Sequence, residues 1–374
     1  MISEEIKIPN SNLTIGGGKV FIIAEIGKNF IQTENNRPLT EYLKNAKELI
    51  GLAKEAGADA VKFQTHNLED EQLDISVVSP HFKGADRYSW VKRNTEATPL
   101  EFWTEIKEYC DKLGILFFST PMSRGAAKKL AQVGVDLWKI GSGDILDFVA
   151  LDYLARSGKP IIISSGMSTL EETDKAVKFL KIRNAKTALL HCVSKYPCPA
   201  SELRLSTMNF FKKRYNMPIG FSDHSISITP SVVAVALGAE IIEKHFSLDR
   251  GLWGSDHKAS LTPSEFKELC QSVRLLESRV ELKQKIAYSY KLNIFENEEK
   301  VLQDDEAVFR PYFRKSLMAA RDLKAGEIIA PDMVYAMRPQ CFAGGLPSEE
   351  YENIIGRKIA VDLKKYDPIT KNVV

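Results

Sequence analysis

Eight short apolar runs separated by helical patterns constrain this chain more than any other feature. They fall at 20–26 (VFIIAEI), 60–64 (AVKFQ), 115–119 (ILFFS), 136–140 (DLWKI), 160–164 (PIIIS), 187–191 (TALLH), 218–222 (PIGFS) and 240–245 (EIIEKH). None alternates strictly between apolar and polar, which suits parallel strands covered on both faces. The segments between many of them carry helix signals. Thr98-Pro99-Leu100-Glu101 reads as a capping box with proline at the first helical position. It opens a helix with Phe102, Ile106, Tyr109 and Leu113 on one face and a stop at Gly114. Thr169-Leu170-Glu171-Glu172 and Thr262-Pro263-Ser264-Glu265 repeat the device, and Leu43, Ala46, Ile50 and Ala53 form a stripe ended by Gly57.

Eight such units in about 230 residues predict a closed (β/α)8 barrel of the TIM type. A doubly wound sheet is the alternative. It is weakened because no G-x-G-x-x-G follows the first strand, and Gly16-Gly17-Gly18 precedes a strand and reads as a turn. The long polar interval at 65–96 reads as a loop insertion at the catalytic face. The barrel is expected over 1–277 and a charged, helical linker over 278–309. A small mixed domain follows over 310–374, with β-like runs at 317–320 and 358–361 and turns at Lys324-Ala325-Gly326-Glu327 and Pro331-Asp332.

The formal net charge of +2 argues against nucleic acid or a membrane surface as partner, so any anionic ligand must be held by a few placed residues. No apolar run approaches the roughly 20 residues of a membrane span, and the N-terminus does not read as a signal peptide. Five scattered cysteines without a C-x-x-C suit reduced thiols in a cytoplasm.

The active site of such a barrel collects at the carboxyl ends of its strands. Every predicted strand ends in polar residues: Glu25; Lys62 and Gln64; Ser119 and Thr120; Lys139 and Ser142; Ser164 and Ser165; His191 and Ser194, with Tyr196 beyond; Ser222, Asp223 and His224; Glu243 and His245. His224 and His245 end adjacent strands and suit a divalent transition metal with open positions for water and substrate. Octahedral geometry favours Mn2+, with Mg2+ or Co2+ as alternatives. His66 and His257 rank below them as ligands, and His81 reads as a loop residue. Two buried lysines without nearby acids are costly. Lys62 and Lys139, with Ser142, Ser164, Ser194 and Ser222, therefore read as a pocket for phosphate and carboxylate. A Schiff-base lysine is the rival use. Glu25 and Glu243 can form salt bridges to the lysines or handle protons and sugar hydroxyls.

The chain resembles the sialic acid synthase family in IAEIGKN (23–29), DAVKFQT (59–65), FFSTP (117–121), LWKIGSGD (137–144), IIISSGMST (161–169), LLHCVSKYPCP (189–199), IGFSDHS (219–225), LGAEIIEKHF (237–246) and GSDHKASLTPSEF (254–266). Its tail, FRKSLMAARDLKAGEII (313–329) and YAMRP (335–339), is similar to the antifreeze-like SAF domain that closes this family. The resemblance implies condensation of phosphoenolpyruvate with an N-acylated aminosugar aldehyde, N-acetylmannosamine or a diacetamido-trideoxyhexose, to a nonulosonic acid. It implies metal on His224 and His245, and phosphoenolpyruvate on Lys62, Thr120, Lys139, Ser142, Ser164 and Ser222. It also implies sugar on Gln64, Tyr196, Glu243 and Asp256, a catalytic Glu25, and a domain-swapped homodimer in which Arg338 reaches the partner's sugar.

The family's N-H-N-G after the first strand is absent, with Phe30 in the histidine's place. Ser194 stands where the family has Asn or Thr, and Gln340-Cys341-Phe342-Ala343-Gly344-Gly345 replaces its glycine-rich turn. A phosphoenolpyruvate synthase acting on a phosphorylated sugar is the nearest alternative. It needs a further basic cluster, and the sequence offers only Lys92-Arg93. A sugar-binding or ice-binding protein built on the tail is the non-enzyme alternative.

Overall fold

The computed structural model describes residues 4–78, 86–291 and 298–374. Eight strands, β1 (Phe21–Gly27), β2 (Ala60–Thr65), β3 (Leu116–Pro121), β4 (Trp138–Ile140), β5 (Ile161–Ser164), β6 (Thr187–Cys192), β7 (Ile219–Asp223) and β8 (Ile241–His245), form a closed parallel barrel. Each pairs with the next and β8 returns to β1, bringing His245, Glu25 and Lys62 level across three strands.

The barrel interior is layered by strand parity. Phe21, Ile23, Ala60, Phe118, Leu137, Ile162, Ala188, Leu190 and Ile241 fill the lower layers as one buried cluster. Ile6, Ile8 and Ile15 of an N-terminal two-stranded hairpin join it from below. Two residues further along each strand, the same inward parity delivers Glu25, Lys62, Thr120, Lys139, Ser164 and Glu243 to the upper layer.

The helices follow their stripes. The helix Leu39–Ala56 buries Leu43, Ala46, Ile50 and Ala53 and ends on Gly57 at φ 98°, a left-handed conformation that glycine adopts without a Cβ penalty. Thr169 and Glu172 complete their capping box, and Glu265 accepts from the Thr262 backbone N–H at 2.8 Å. The signal at residue 98 is spent differently: the helix begins at Leu100, and the Thr98 hydroxyl donates to the Asn94 carbonyl at 2.8 Å. That hydroxyl closes the preceding helix, Arg87–Ala97, which Asp86 caps by accepting from the Ser89 N–H. The interval expected to be a loop thus carries two helices, the other being Leu68–Glu71. His81 lies outside the described residues.

After the helices Pro263–Ser278 and Val280–Lys291 the chain reaches the C-terminal domain. Its strands β9 (Ser316–Ala319) and β10 (Val334–Met337) are antiparallel. The run expected at 358–361 forms no strand and only bridges Ile328 at Lys358. The domain seats on its own chain's barrel through buried charges. Lys315 lies 2.9 Å from Asp144 and 2.7 Å from Asp147, and Arg124 donates to the carbonyls of Pro331 and Val334. Among the described residues no helix is long and apolar enough to cross a membrane. All five cysteines are unpaired.

Candidate active site

A cavity of about 760 Å3 opens at the carboxyl end of the barrel. All the residues assigned a catalytic, substrate or leading metal role from the sequence line it: Glu25, Lys62, Gln64, Thr120, Lys139, Ser142, Ser164, Ser194, Tyr196, Ser222, His224, Glu243, His245, Asp256 and Arg338.

The two lysines are not without acids, contrary to the expectation above. Lys62 Nζ is 2.6 Å from Glu25 Oε2 and 3.8 Å from Glu243 Oε2, and Lys139 Nζ is 3.6 Å from Glu243 Oε1. Hydroxyls complete the set. Lys62 donates to Thr120 Oγ1 at 3.1 Å, Lys139 to Ser164 Oγ at 2.6 Å, and Ser222 to Glu243 Oε1 at 3.1 Å. Burial pushes the Glu243 carboxyl up, but Lys139 and Lys62 outweigh it and hold it down at about 2. Glu25 goes the other way. Burial and the charge of Glu243 raise it to about 7 against the pull of Lys62, while Gln64 Nε2 donates to its Oε1 at 3.0 Å. Two carboxyls in one pocket, one ionised and one poised near neutrality, form an assignable acid–base pair. A Cβ added at Gly166 would come within 2.5 Å of Ser142 Oγ, so glycine there leaves room for hydroxyls to converge.

The rings of His224 and His245 lie 5.4 Å apart between centroids, and Tyr196 packs against His224 with ring centroids 4.0 Å apart and planes tilted by 35°. His224 Nδ1 faces the Val193 carbonyl at 2.9 Å. A carbonyl only accepts, so Nδ1 carries a hydrogen and Nε2 is the nitrogen left for a metal, the arrangement typical of a metal-bound histidine. Among the described residues His245 Nδ1 is buried with no hydrogen-bond partner, and burial above all, with positive charge on neighbouring His224, holds this imidazole neutral. No cluster of three His, Cys, Asp or Glu side chains suited to a metal occurs among the described residues. The pair therefore fits a divalent ion as two ligands, leaving its other positions to oxygens of water and substrate.

Several polar residues at strand ends do other work. His191 points outward, donating through Nε2 to the Leu203 carbonyl at 2.7 Å and stacking on Phe221. Ser119 bonds Thr65, Ser165 donates to the Leu190 carbonyl, and Asp223 pairs with buried Lys244 at 2.8 Å. His257 bonds Ser247 at 2.6 Å outside the cavity lining. Phe30 is core, stacked on Phe102 at 5.0 Å and edge-on to Tyr42. Replacement of the histidine there leaves Lys28 and Asn29, not residue 30, to face the cavity.

Arg338 is buried, hydrogen-bonded to Asp144 and 3.8 Å from Glu71. Its backbone N–H donates to the Glu71 carbonyl, and Leu73 N–H donates to its own carbonyl. Within a single chain it already lines the cavity. Behind the lining residues Met167 and Ser194 stand supports that sequence reading missed, Glu306 from the linker and Arg314 from the C-terminal domain. Buried Glu306 accepts from the N–H groups of Met167 and Ser194 at 2.9 and 2.8 Å, and Arg314 donates to the Met167 carbonyl at 2.7 Å. Cavity residues missed are Lys28 and Arg87, while His66, ranked low as a metal ligand, and Arg93, noted only as a basic residue of the insertion, also line it. The shortened motif at Lys28 and the charges of the insertion were the available signals.

The NeuB family model matches residues 49–285, and the SAF domain model matches residues 314–374. Human N-acetylneuraminate-9-phosphate synthase is 33% identical over 95% of this chain and 92% of its own length. The N,N'-diacetyllegionaminic acid synthase of Campylobacter jejuni is 34% identical over 94% of this chain and 99% of its own. The solved structure of the Bacillus subtilis spore coat polysaccharide biosynthesis protein SpsE superimposes with a TM-score of 0.79 at 30% identity, covering 99% of both chains.

Proposed function

Because this chain belongs to the NeuB family and ends in an SAF domain, we propose that it is a nonulosonic acid synthase, condensing phosphoenolpyruvate with an N-acylated aminosugar aldehyde and releasing phosphate. The relatives are named as synthases of sialic-type acids that differ in product, so membership leaves the acceptor open. The observation that carries the reading is the row Glu25–Lys62–Glu243–Lys139 inside the barrel mouth, ringed by Thr120, Ser164 and Ser222.

Lys62 and Lys139, with Thr120, Ser142, Ser164, Ser194 and Ser222, hold the phosphate and carboxylate of phosphoenolpyruvate. Gln64, Tyr196, Glu243, Asp256 and Arg338 hold the sugar. A divalent ion on His224 and His245, Mn2+ or else Mg2+ or Co2+, would supply Lewis-acid polarisation of the aldehyde. Carbon 3 of phosphoenolpyruvate attacks the aldehyde carbon, whose oxygen takes up a proton to become a hydroxyl, and water adds at carbon 2 with loss of a proton. Glu25 takes that water's proton, a role its position near neutrality suits. The carbon–oxygen bond at carbon 2 then breaks and phosphate leaves with the bridging oxygen, its charge met by the two lysines. Burial lowers Lys62, but Glu243 and Glu25 more than offset it and keep the amine protonated. This favours an electrostatic role over an imine. In a domain-swapped homodimer the same Arg338 contact would come from the partner's SAF domain. Phosphate release from phosphoenolpyruvate, required to depend on an added aminosugar and on Mn2+, tests the reading. Release without the sugar, or none with any aminosugar, rejects it.

A further inference from the structure

One lobe of the cavity carries more positive charge than its surroundings neutralise. Lys28, which follows β1, is nine-tenths buried, and its Nζ has no hydrogen-bond or ion-pair partner among the described residues. Arg87, at the start of the insertion helix, is equally buried. Among the described residues its Nε is also unpartnered, and its guanidinium rests on the Phe313 ring at 4.3 Å without an ion pair. Glu71, whose charge acts on both, is already committed: both its oxygens face His66 Nδ1, at 2.9 and 2.8 Å, and Arg338 lies 3.8 Å away. Asp144 is likewise taken by Arg338 and Lys315.

His66 adds polarity to the same wall. Its Nδ1–H is spent on Glu71, so the buried Nε2, unpartnered among the described residues, offers a lone pair to a hydroxyl. Buried cations are retained only when something pairs with them. Burial also pulls the Lys28 ammonium down to about 7, and a bound anion would restore its charge. This lobe lies against the loops after β1 and β2, across the mouth from the serines that follow β4 and β6.

We propose that Lys28 and Arg87 bind an anionic group, a phosphate ester or a carboxylate, carried by the acceptor sugar away from its aldehyde, with His66 accepting a neighbouring sugar hydroxyl. The inference rests on the synthase reading above and narrows its acceptor. The basic cluster that a charged acceptor needs is assembled by the fold from residues 28 and 87, which no stretch of sequence shows together.

The test is steady-state phosphate release from phosphoenolpyruvate with N-acetylmannosamine, its 6-phosphate and the matching uronic acid. Loss of one charged hydrogen bond is worth about tenfold or more. At least one anionic sugar should therefore exceed the neutral one about tenfold in kcat/KM, and which one identifies the anion. Lys28→Met and Arg87→Met should each erase that preference through the sugar KM, and Lys28→Arg should restore part of it. A neutral sugar used as well as or better than both anionic ones overturns the proposal while leaving the synthase reading intact, as does a preference that survives both variants. No release with any of the three, but release with a neutral diacetamido-trideoxyhexose, overturns this proposal alone, and no release with any aminosugar rejects both.

Discussion

Replacing Glu25 with glutamine separates the chemistry of this site from its stability. Glu25 is 2% exposed, faces Lys62 at 2.6 Å and has its carboxyl raised from 4.5 to about 7. In the unfolded chain this group ionises near 4.5, whereas in the folded protein it ionises near 7. Below the first value it costs nothing, and between the two the cost grows with pH. Above the second the cost is complete: a rise of that size, at about 1.36 kcal/mol per pH unit, is worth about 3 kcal/mol. Glutamine keeps the contact with Gln64 but cannot ionise, and Lys62 retains Glu243. Glu25→Gln should therefore gain stability relative to the parent by up to about 3 kcal/mol between pH 4.5 and pH 8, measured by chemical denaturation at both. Its phosphate release should fall about 100-fold or more, while phosphoenolpyruvate still binds. Turnover within tenfold of the parent removes Glu25 from the chemistry. Relative stability independent of pH contradicts the environment derived for it.

The acid limb of kcat/KM should lie near pH 7, with activity rising as Glu25 loses its proton, and should vanish from the residual activity of Glu25→Gln. Excess chelator should abolish turnover and Mn2+ should restore it, while His245→Ala should lose Mn2+ binding in calorimetry; full activity in chelator contradicts the metal assignment. Arg338→Ala should raise the sugar KM about tenfold or more and leave that for phosphoenolpyruvate within about twofold, read from paired saturation curves. Phe30→His places a polar ring among Phe102, Phe63 and Tyr42. It should lower stability by about 2 kcal/mol or more without improving kcat, so a stable and faster variant contradicts the core placement.

The barrel was legible because its strands are apolar on both faces and its helices carry caps and glycine stops. The site was legible because charge at the end of an apolar strand has no packing reason. Parity refines that signal. Glu25, Lys62, Lys139 and Glu243 lie in step with the inward Ile23, Ala60, Leu137 and Ile241. Ser119, His191 and Asp223 are out of step, and counting by two along each strand separates them. What stayed hidden depends on distant partners. The acids beside the lysines come from other strands, and Glu306 reaches loops more than 100 residues away in sequence. Lys28 and Arg87 share a wall only because the insertion folds back as a helix. The Thr98 signal misled because one hydroxyl sat between two helices and served the earlier one.

The most direct test of the condensation uses phosphoenolpyruvate labelled with oxygen-18 at the oxygen bridging carbon 2 and phosphorus, with the preferred aminosugar and Mn2+. If water enters at carbon 2 and the carbon–oxygen bond breaks, mass spectrometry finds the label in inorganic phosphate and an unlabelled sugar acid whose carbon count is that of the acceptor plus three. Label retained in the sugar acid, or phosphate formed without such a product, contradicts the account.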